Sequence, residues 1–365
     1  MKKVLFYIAQ EYYWESLEPI YIEYEKDKNY DLYLKIGSNQ KRYFKIFLRS
    51  QKKSIEKKFA DKGYKITDNK SGFDIVFAGA QLKDPEQFGD AKLCNVDHGP
   101  GIKTLRYRHL LKQKKVKYYC FVEGQYRIEK FKKYGLDKIH NVYDTGLPKL
   151  DKFFNGYFKK EDLIRKYRLD ENKKTVLYAP SYKPTSIFSI GPKIPQLSDK
   201  YNVIIKLHPY SWGGKYASHS QHKIFEKIVQ KFPKIILVSP EISNILPYMF
   251  LADTMISDGS SVINEFLALG RCGIIVNLPE EKNTHHDGQP LLENKNSEWL
   301  KGSFIHIKPE DDIQSAVKNA IGPSKERLDS IYKDRDYIFS HKDGKAAFRV
   351  KRIMDNLLEE QNGSL

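Results

Sequence analysis

Short apolar runs recur along this chain with amphipathic helical patterns between them, and after a break the alternation starts again. In the first half the runs lie at 4–9, 31–36, 73–79, 93–99, 118–124 and 142–146, with helical character at 41–59, 105–114 and 125–134. A polar, basic stretch at 148–160 reads as a linker. Beyond it the runs fall at 175–181, 203–209, 235–239, 254–259, 273–278 and 304–308, with helical stretches at 222–231, 243–251 and 261–269. Strands separated by helices imply right-handed crossovers and a parallel sheet covered on both faces. The chain therefore reads as α/β, two doubly wound Rossmann-like domains at 1–155 and 156–335, and its 365 residues suffice for two cores. Open sheets of this kind bind ligands beyond the carboxyl ends of their strands, so the two domains face a central cleft. The tail is charged and helical over 326–360, and its last part, 336–365, forms a helix able to cross back to the first domain.

The segment 255–278, MISDGSSVINEFLALGRCGIIVNL, has the order strand, turn, helix, strand. Asp258 and Gly259 turn the chain, Ser260 and Ser261 stand where a helix begins, and Gly270 ends it. A helix start offers unpaired N–H groups and a positive dipole end, Gly259 permits close approach, and two hydroxyls add donors, which suits a phosphate. An ordinary βαβ unit whose serines only cap the helix accounts for the same residues.

Two histidines fall at strand ends, one in each half: His98 before Gly99-Pro100-Gly101, and His208 before Pro209. A lone histidine is commonly structural, but two at equivalent places facing one cleft suit proton transfer near neutral pH. Lys103, Lys183, Lys206 and Arg349 are cations suited to a diphosphate, with Lys183 on the nucleotide side. Glu265, one turn beyond Ser261, is placed to hold ribose hydroxyls or to sit exposed on its helix. His219 with His222, and His285-His286-Asp287, lack the ligands and spacing of a zinc site, so no metal residue is assigned. A Mg²⁺ ion bound to a diphosphate needs few protein ligands and stays open.

With 63 Lys and Arg against 46 Asp and Glu, the net charge of +17 calls for an acidic partner: nucleic acid, an anionic membrane or a phosphorylated substrate. No helix-turn-helix, RNA-recognition or zinc-finger signature points to nucleic acid. Three scattered cysteines, Cys94, Cys120 and Cys272, fit a reducing cytoplasm. The opening Met1-Lys2-Lys3 and its short apolar run fit a buried first strand better than a signal peptide. No segment reaches the length of a membrane span, so contact with the inner face of a membrane is expected to be peripheral. The stretches 41–59, with Phe44, Phe47, Leu48, Ile55 and Phe59 at helical spacing, and 103–117 combine basic and apolar residues. Each suits a helix lying on an anionic leaflet, or a core-packed helix with a solvated basic face.

Six stretches together resemble the CDP-glycerol glycerophosphotransferase family, which primes and polymerises teichoic acids and related capsular polymers: DHGPGIK at 97–103, TGLPKLD at 145–151, LYAPSYK at 177–183, IKLHP at 205–209, ISDGSSVINEFLALGR at 256–271 and DGKAAFR at 343–349. None is specific alone, but they keep the family's order and span most of the chain. The resemblance implies the two-domain glycosyltransferase B fold, with the first domain on the acceptor side and the second binding the nucleotide donor. It implies attack by an acceptor hydroxyl on the β-phosphorus of a CDP-activated polyol with CMP leaving; the acceptor is expected to be lipid-linked or polymeric, and no cofactor is expected to be required. His98 matches the family's His-Gly motif, His208 its His-Pro motif, and Ser260 and Ser261 its paired phosphate-loop residues. On that reading His98 is the base on the acceptor and His208 donates to the diphosphate, though the roles can be exchanged. Gly259, Ser260, Ser261, Lys206 and Arg349 then hold the donor phosphates. The chain departs from the pattern at Pro100-Gly101, where the family has Thr-Pro, and at Gly259, where it has an aromatic, which bears on the identity of the donor. The nearest alternatives are a sugar glycosyltransferase or UDP-sugar 2-epimerase of the same fold. A basic nucleic-acid-binding protein is the alternative from another class.

Overall fold

The computed structural model describes the chain except residues 39, 44–46, 102, 214–220, 280–283, 285–287, 294 and 363–365; the side chains of 41–48, 296, 361 and 362 also lie outside the described residues. The first half contains β1 (Lys2–Ile8), β2 (Tyr30–Ile36), β3 (Gln40–Tyr43), β4 (Phe47–Ser50), β5 (Ile75–Ala78), β6 (Lys92–Val96), β7 (Tyr118–Val122) and β8 (Asn141–Asp144). Six of these form one sheet in the order β2-β1-β5-β6-β7-β8. The second half contains β9 (Thr175–Tyr178), β10 (Asn202–Ile205), β11 (Ile236–Leu237), β12 (Thr254–Ser257), β13 (Ile274–Val276) and β14 (Ile305–Ile307), in the order β11-β10-β9-β12-β13-β14. All pairings in both sheets are parallel. Strands β5, β6, β9, β12 and β13 are buried at every position, because helices cover both faces. That is why they read as largely apolar runs rather than alternating ones.

Three expectations change. The stretch 41–59 is not one helix: β3 and β4 pair as an antiparallel hairpin, and only Lys52–Ala60 is helical. Ile55 and Phe59 on that helix are buried in the first core, and so are Tyr107 and Leu110 on the helix Leu105–Lys112. Their apolar faces are therefore not available to a lipid leaflet. Phe44 lies outside the described residues, as do the side chains of Phe47 and Leu48. The stretch 148–160 is packed over its first half, where Leu150 and Phe153 are buried in the second core, while 155–157, 159 and 160 are exposed. The tail is two helices, Lys325–Ile338 and Ala346–Asn362.

The last helix crosses back to the first domain. Val350 and Met354 are fully buried among Phe6, Phe77 and Cys94, and each such side chain stabilises the fold by roughly 1.5–3 kcal/mol. Its start is fixed by Asp151, whose two carboxylate oxygens accept from Ala346 N and Ala347 N at 2.9 Å each. Two of the sequence motifs, at 145–151 and 343–349, meet in this capping arrangement. Among the described residues no helix is long and apolar enough to cross a membrane.

Candidate active site

The strand order switches direction between β1 and β5 in the first sheet and between β9 and β12 in the second. Switch points leave a crevice at the strand carboxyl ends, and here the two crevices merge into one cavity of about 730 Å³. The first domain lines it with Tyr12, Tyr13 and Glu15 after β1, Gln81 after β5, and Asp97, His98 and Gly99 after β6. The second domain contributes Tyr182 and Lys183 after β9, Lys206 and His208 after β10, and Ser260, Ser261 and Glu265 after β12.

Both histidines face this cavity, and the backbone sets them in opposite tautomers. His98 Nδ1 lies 2.9 Å from the Gly79 carbonyl oxygen, which can only accept, so the proton sits on Nδ1 and Nε2 keeps its lone pair. His208 Nδ1 accepts from Tyr210 N–H at 3.1 Å, so its proton is on Nε2. One ring thus offers an acceptor at Nε2 and the other a donor. Burial lowers the pKa of His98, with Asp97 opposing in part. Burial, then Lys103 and Lys206, push His208 down to about 3. Both are neutral near pH 7. Tyr13 stacks on His98 with centroids 4.3 Å apart, and the Tyr12 ring stands 5.9 Å from His98 and 5.5 Å from His208.

Beneath His98 is a buried charge network. Asp97 accepts from Arg106 and lies 3.6 Å from Arg127 Nη2, which itself donates to Glu123 at 2.8 Å. Burial alone would raise Asp97, but Arg106 and Arg127 outweigh it and hold its carboxyl below the usual range. Asp97 Oδ1 is 3.7 Å from His98 Nδ1, so a fixed anion backs the ring.

The second-domain wall is built differently. The helix after β12 is only the six residues Val262–Leu267, too short for much of a macrodipole, so the dipole argument from sequence is weaker than expected. Ser261, at the cap position, makes no side-chain cap hydrogen bond, and both serines line the cavity. A Cβ placed on Gly259 would meet nothing within 4 Å. The preceding Asp258 is fully buried and accepts from Ser181 N at 2.6 Å, Ser186 N at 2.7 Å and Ser186 Oγ at 2.8 Å, tying the β9 and β12 loops together. Lys206 is buried, and among the described residues its one hydrogen bond is to the Leu207 carbonyl oxygen at 3.4 Å; burial pushes its pKa down to about 8 with Glu15 opposing. Such an ammonium suits an incoming anion. Lys183 is exposed at the cavity rim.

Two assignments move. Arg349 does not line the cavity; both guanidinium Nη atoms are held by Asp343, so this cation serves the turn before the last helix. Glu265 is neither exposed nor held open for a ribose: it is 1% exposed, and Lys149 Nζ sits 2.9 Å from Oε1 and 2.8 Å from Oε2. The contact crosses between the domains. A Cβ on Gly99 would lie 3.0 Å from both Glu265 Oε1 and Ser261 Oγ, so the glycine lets the His98 loop dock on the Ser261 helix. Lys149, Arg106, Arg127, Tyr12 and Tyr13 were not singled out from sequence. Lys149 lay inside a quoted motif, whereas nothing in the sequence marks the two tyrosines. His219, His285, His286 and Asp287 lie outside the described residues, and among those described no cluster of three or more His, Cys, Asp or Glu is arranged to hold a metal ion.

Over residues 4–356 the sequence matches the family described as CDP-glycerol:poly(glycerophosphate) glycerophosphotransferase. A curated relative, the teichoic acid poly(ribitol-phosphate) polymerase of Bacillus spizizenii, is 26% identical over 232 residues, 60% of this chain. The match covers 34% of that protein, so this chain spans about a third of the relative's length. Among solved structures, the wall teichoic acid polymerase TagF is similar with a TM-score of 0.64 at 15% identity, covering 99% of this chain and 89% of that one. A putative UDP-N-acetylglucosamine 2-epimerase from Listeria monocytogenes is similar with a TM-score of 0.61 at 11% identity, covering 99% and 97%. At these identities the two structures show the fold alone, the paired doubly wound sheets of the glycosyltransferase B type.

Proposed function

We propose, because the chain belongs to the CDP-glycerol:poly(glycerophosphate) glycerophosphotransferase family, that it is an enzyme transferring a polyol phosphate, glycerol phosphate first among them, from a CDP-activated donor to an acceptor hydroxyl. The product is CMP and a phosphodiester of a teichoic acid or related surface polymer. The observation that carries this reading is the pair of neutral histidines presenting opposite Nε2 chemistry across one cleft, beside a buried lysine that makes no ion pair among the described residues. His98 Nε2 takes the acceptor proton as the new O–P bond forms at the β-phosphorus, and the imidazolium that results is backed by Asp97. The bond from that phosphorus to the bridging oxygen breaks, and its charge leaves with CMP. His208 Nε2–H, Lys206, Ser260 and Ser261 donate to the phosphate oxygens, which is the positioning and charge stabilisation that phosphoryl transfer requires.

No resident cofactor is needed for these steps; a Mg²⁺ ion arriving with the diphosphate is tested by measuring activity after chelation. The acceptor is lipid-linked or polymeric, and the enzyme works in the cytoplasm, peripheral on the inner membrane face. Support for that placement is the net charge of +17, acting through solvated lysines rather than inserted apolar faces. The test is CMP release from a panel of CDP-polyols with and without acceptor. CMP release from at least one CDP-polyol is expected, and release of UDP from UDP-sugars instead would overturn the reading.

A further inference from the structure

Among the described residues three carboxylates line the cavity, and two already have cations. Asp97 is held by Arg106, and Glu265 by Lys149. Among the described residues Glu15 has no ion pair within 4.0 Å; its hydrogen bond comes from Ser243 Oγ at 3.3 Å, long for a hydroxyl donor, and burial raises its pKa with the charge of Lys149, already engaged by Glu265, opposing. Its place in the first turn of the helix Trp14–Glu25 suits the helix dipole, but that alone does not require it to face the cavity. Lys206 on the opposite wall is under-coordinated in the same way, with one 3.4 Å carbonyl hydrogen bond among the described residues. The two feel each other's charge without approaching within 4.0 Å. Both line the one cavity, an acceptor-only oxygen pair on the first-domain wall and a donor-only ammonium on the second.

We propose that Glu15 reads the polyol of the donor, accepting a hydroxyl hydrogen bond from a polyol whose phosphate oxygen meets Lys206. The ligand class that satisfies both walls is a phosphate ester of a polyol: its hydroxyl donates to the carboxylate and its anionic oxygen accepts from the ammonium. A bare phosphate satisfies only Lys206 and is repelled by Glu15, so the pair discriminates by the presence of the polyol. This inference rests on the reading that Lys206 meets the donor diphosphate.

The test is calorimetric titration of the full chain, as wild type, Glu15→Gln and Glu15→Ala, with CDP-glycerol, CDP and glycerol phosphate, alongside melting curves. Glu15→Ala is expected to weaken CDP-glycerol on the order of 10- to 100-fold, as loss of a hydrogen bond to a charged group does, and to leave CDP unchanged or tighter. Glu15→Gln keeps an acceptor oxygen and is expected to lose less. An equal loss for CDP and CDP-glycerol, or an unchanged CDP-glycerol affinity with a raised KM for the acceptor, overturns the assignment. Should wild type bind neither CDP nor CDP-glycerol, the functional reading itself fails. The glycerol phosphate arm then decides the role of Glu15: weaker binding in Glu15→Ala supports it, and equal binding removes it.

Discussion

The two walls of the cleft carry buried cations in opposite states. On the first-domain wall Arg106 and Arg127 are engaged by Asp97 and Glu123 beneath the His98 loop. On the second-domain wall Lys206 is buried to a similar degree but among the described residues hydrogen-bonds to a carbonyl oxygen alone, at 3.4 Å, and the Ser261 hydroxyl does not cap its helix. A cation paired inside the protein holds its neighbours still. One left unpaired at a cavity is costly until an anion arrives, so the first wall is built to fix a histidine and the second to receive a diphosphate.

The largest effect that would sharpen this contrast is at the histidine of the receiving wall. His208→Ala is expected to lower turnover by about two to four orders of magnitude while leaving the melting temperature close to wild type, because a charge-stabilising donor is lost from the transition state. Near-normal turnover would remove His208 from the chemistry. On the fixing wall the expected effect is on stability. Arg127→Met leaves Glu123 buried without its cation and should cost about 3–5 kcal/mol in urea unfolding. A loss below about 1 kcal/mol would break the comparison by showing that this network does not hold the wall.

Lys206→Met should do the reverse, leaving stability unchanged or higher while weakening CDP on the order of 10- to 100-fold. The pH dependence has a definite sign. Lys206 has a folded pKa of about 8, below the unfolded value of about 10.4, so between them the unfolded chain binds more protons. This group's contribution to stability therefore grows as pH rises from about 8 to about 10, whereas CDP affinity falls over the same range as the ammonium is lost. Both trends should vanish in Lys206→Met, and a CDP affinity flat across that range in wild type would show that Lys206 does not meet the anion. The smallest expected effect is at the serines. Replacing Ser260 and Ser261 with Ala should weaken CDP by about tenfold, at roughly 0.5–1.5 kcal/mol per hydrogen bond, and leave cytidine binding alone. An equal loss for cytidine would mean a distorted pocket.

The parallel architecture was legible because buried strands such as β5 and β9 are apolar at nearly every position, and the segment around 258–261 showed where the second crevice lies. The hairpin of β3 and β4 was not legible. Apolar residues spaced three and four apart fit a helix as readily as two short strands, and pairing between strands of four residues leaves little signal. Arg349 was misplaced for a different reason: its motif is genuine, but a motif does not say whether its cation faces a ligand or an aspartate six residues away. Glu265 depends on Lys149, distant in sequence, which no local pattern reveals. Tyr12 and Tyr13 belong to a short turn after β1 whose importance comes only from the histidines folded against it.

The most direct test of the division between the walls is at His98, where binding and transfer can be separated in one protein. Wild type and His98→Ala are titrated with CDP and then assayed for acceptor-dependent CMP release from CDP-glycerol. CDP affinity is expected within about twofold of wild type and release slowed by about two to four orders of magnitude, because His98 stands on the wall that fixes the base and not on the one that receives the donor. Loss of CDP binding in proportion to the loss of transfer, or near-normal release, would contradict that division.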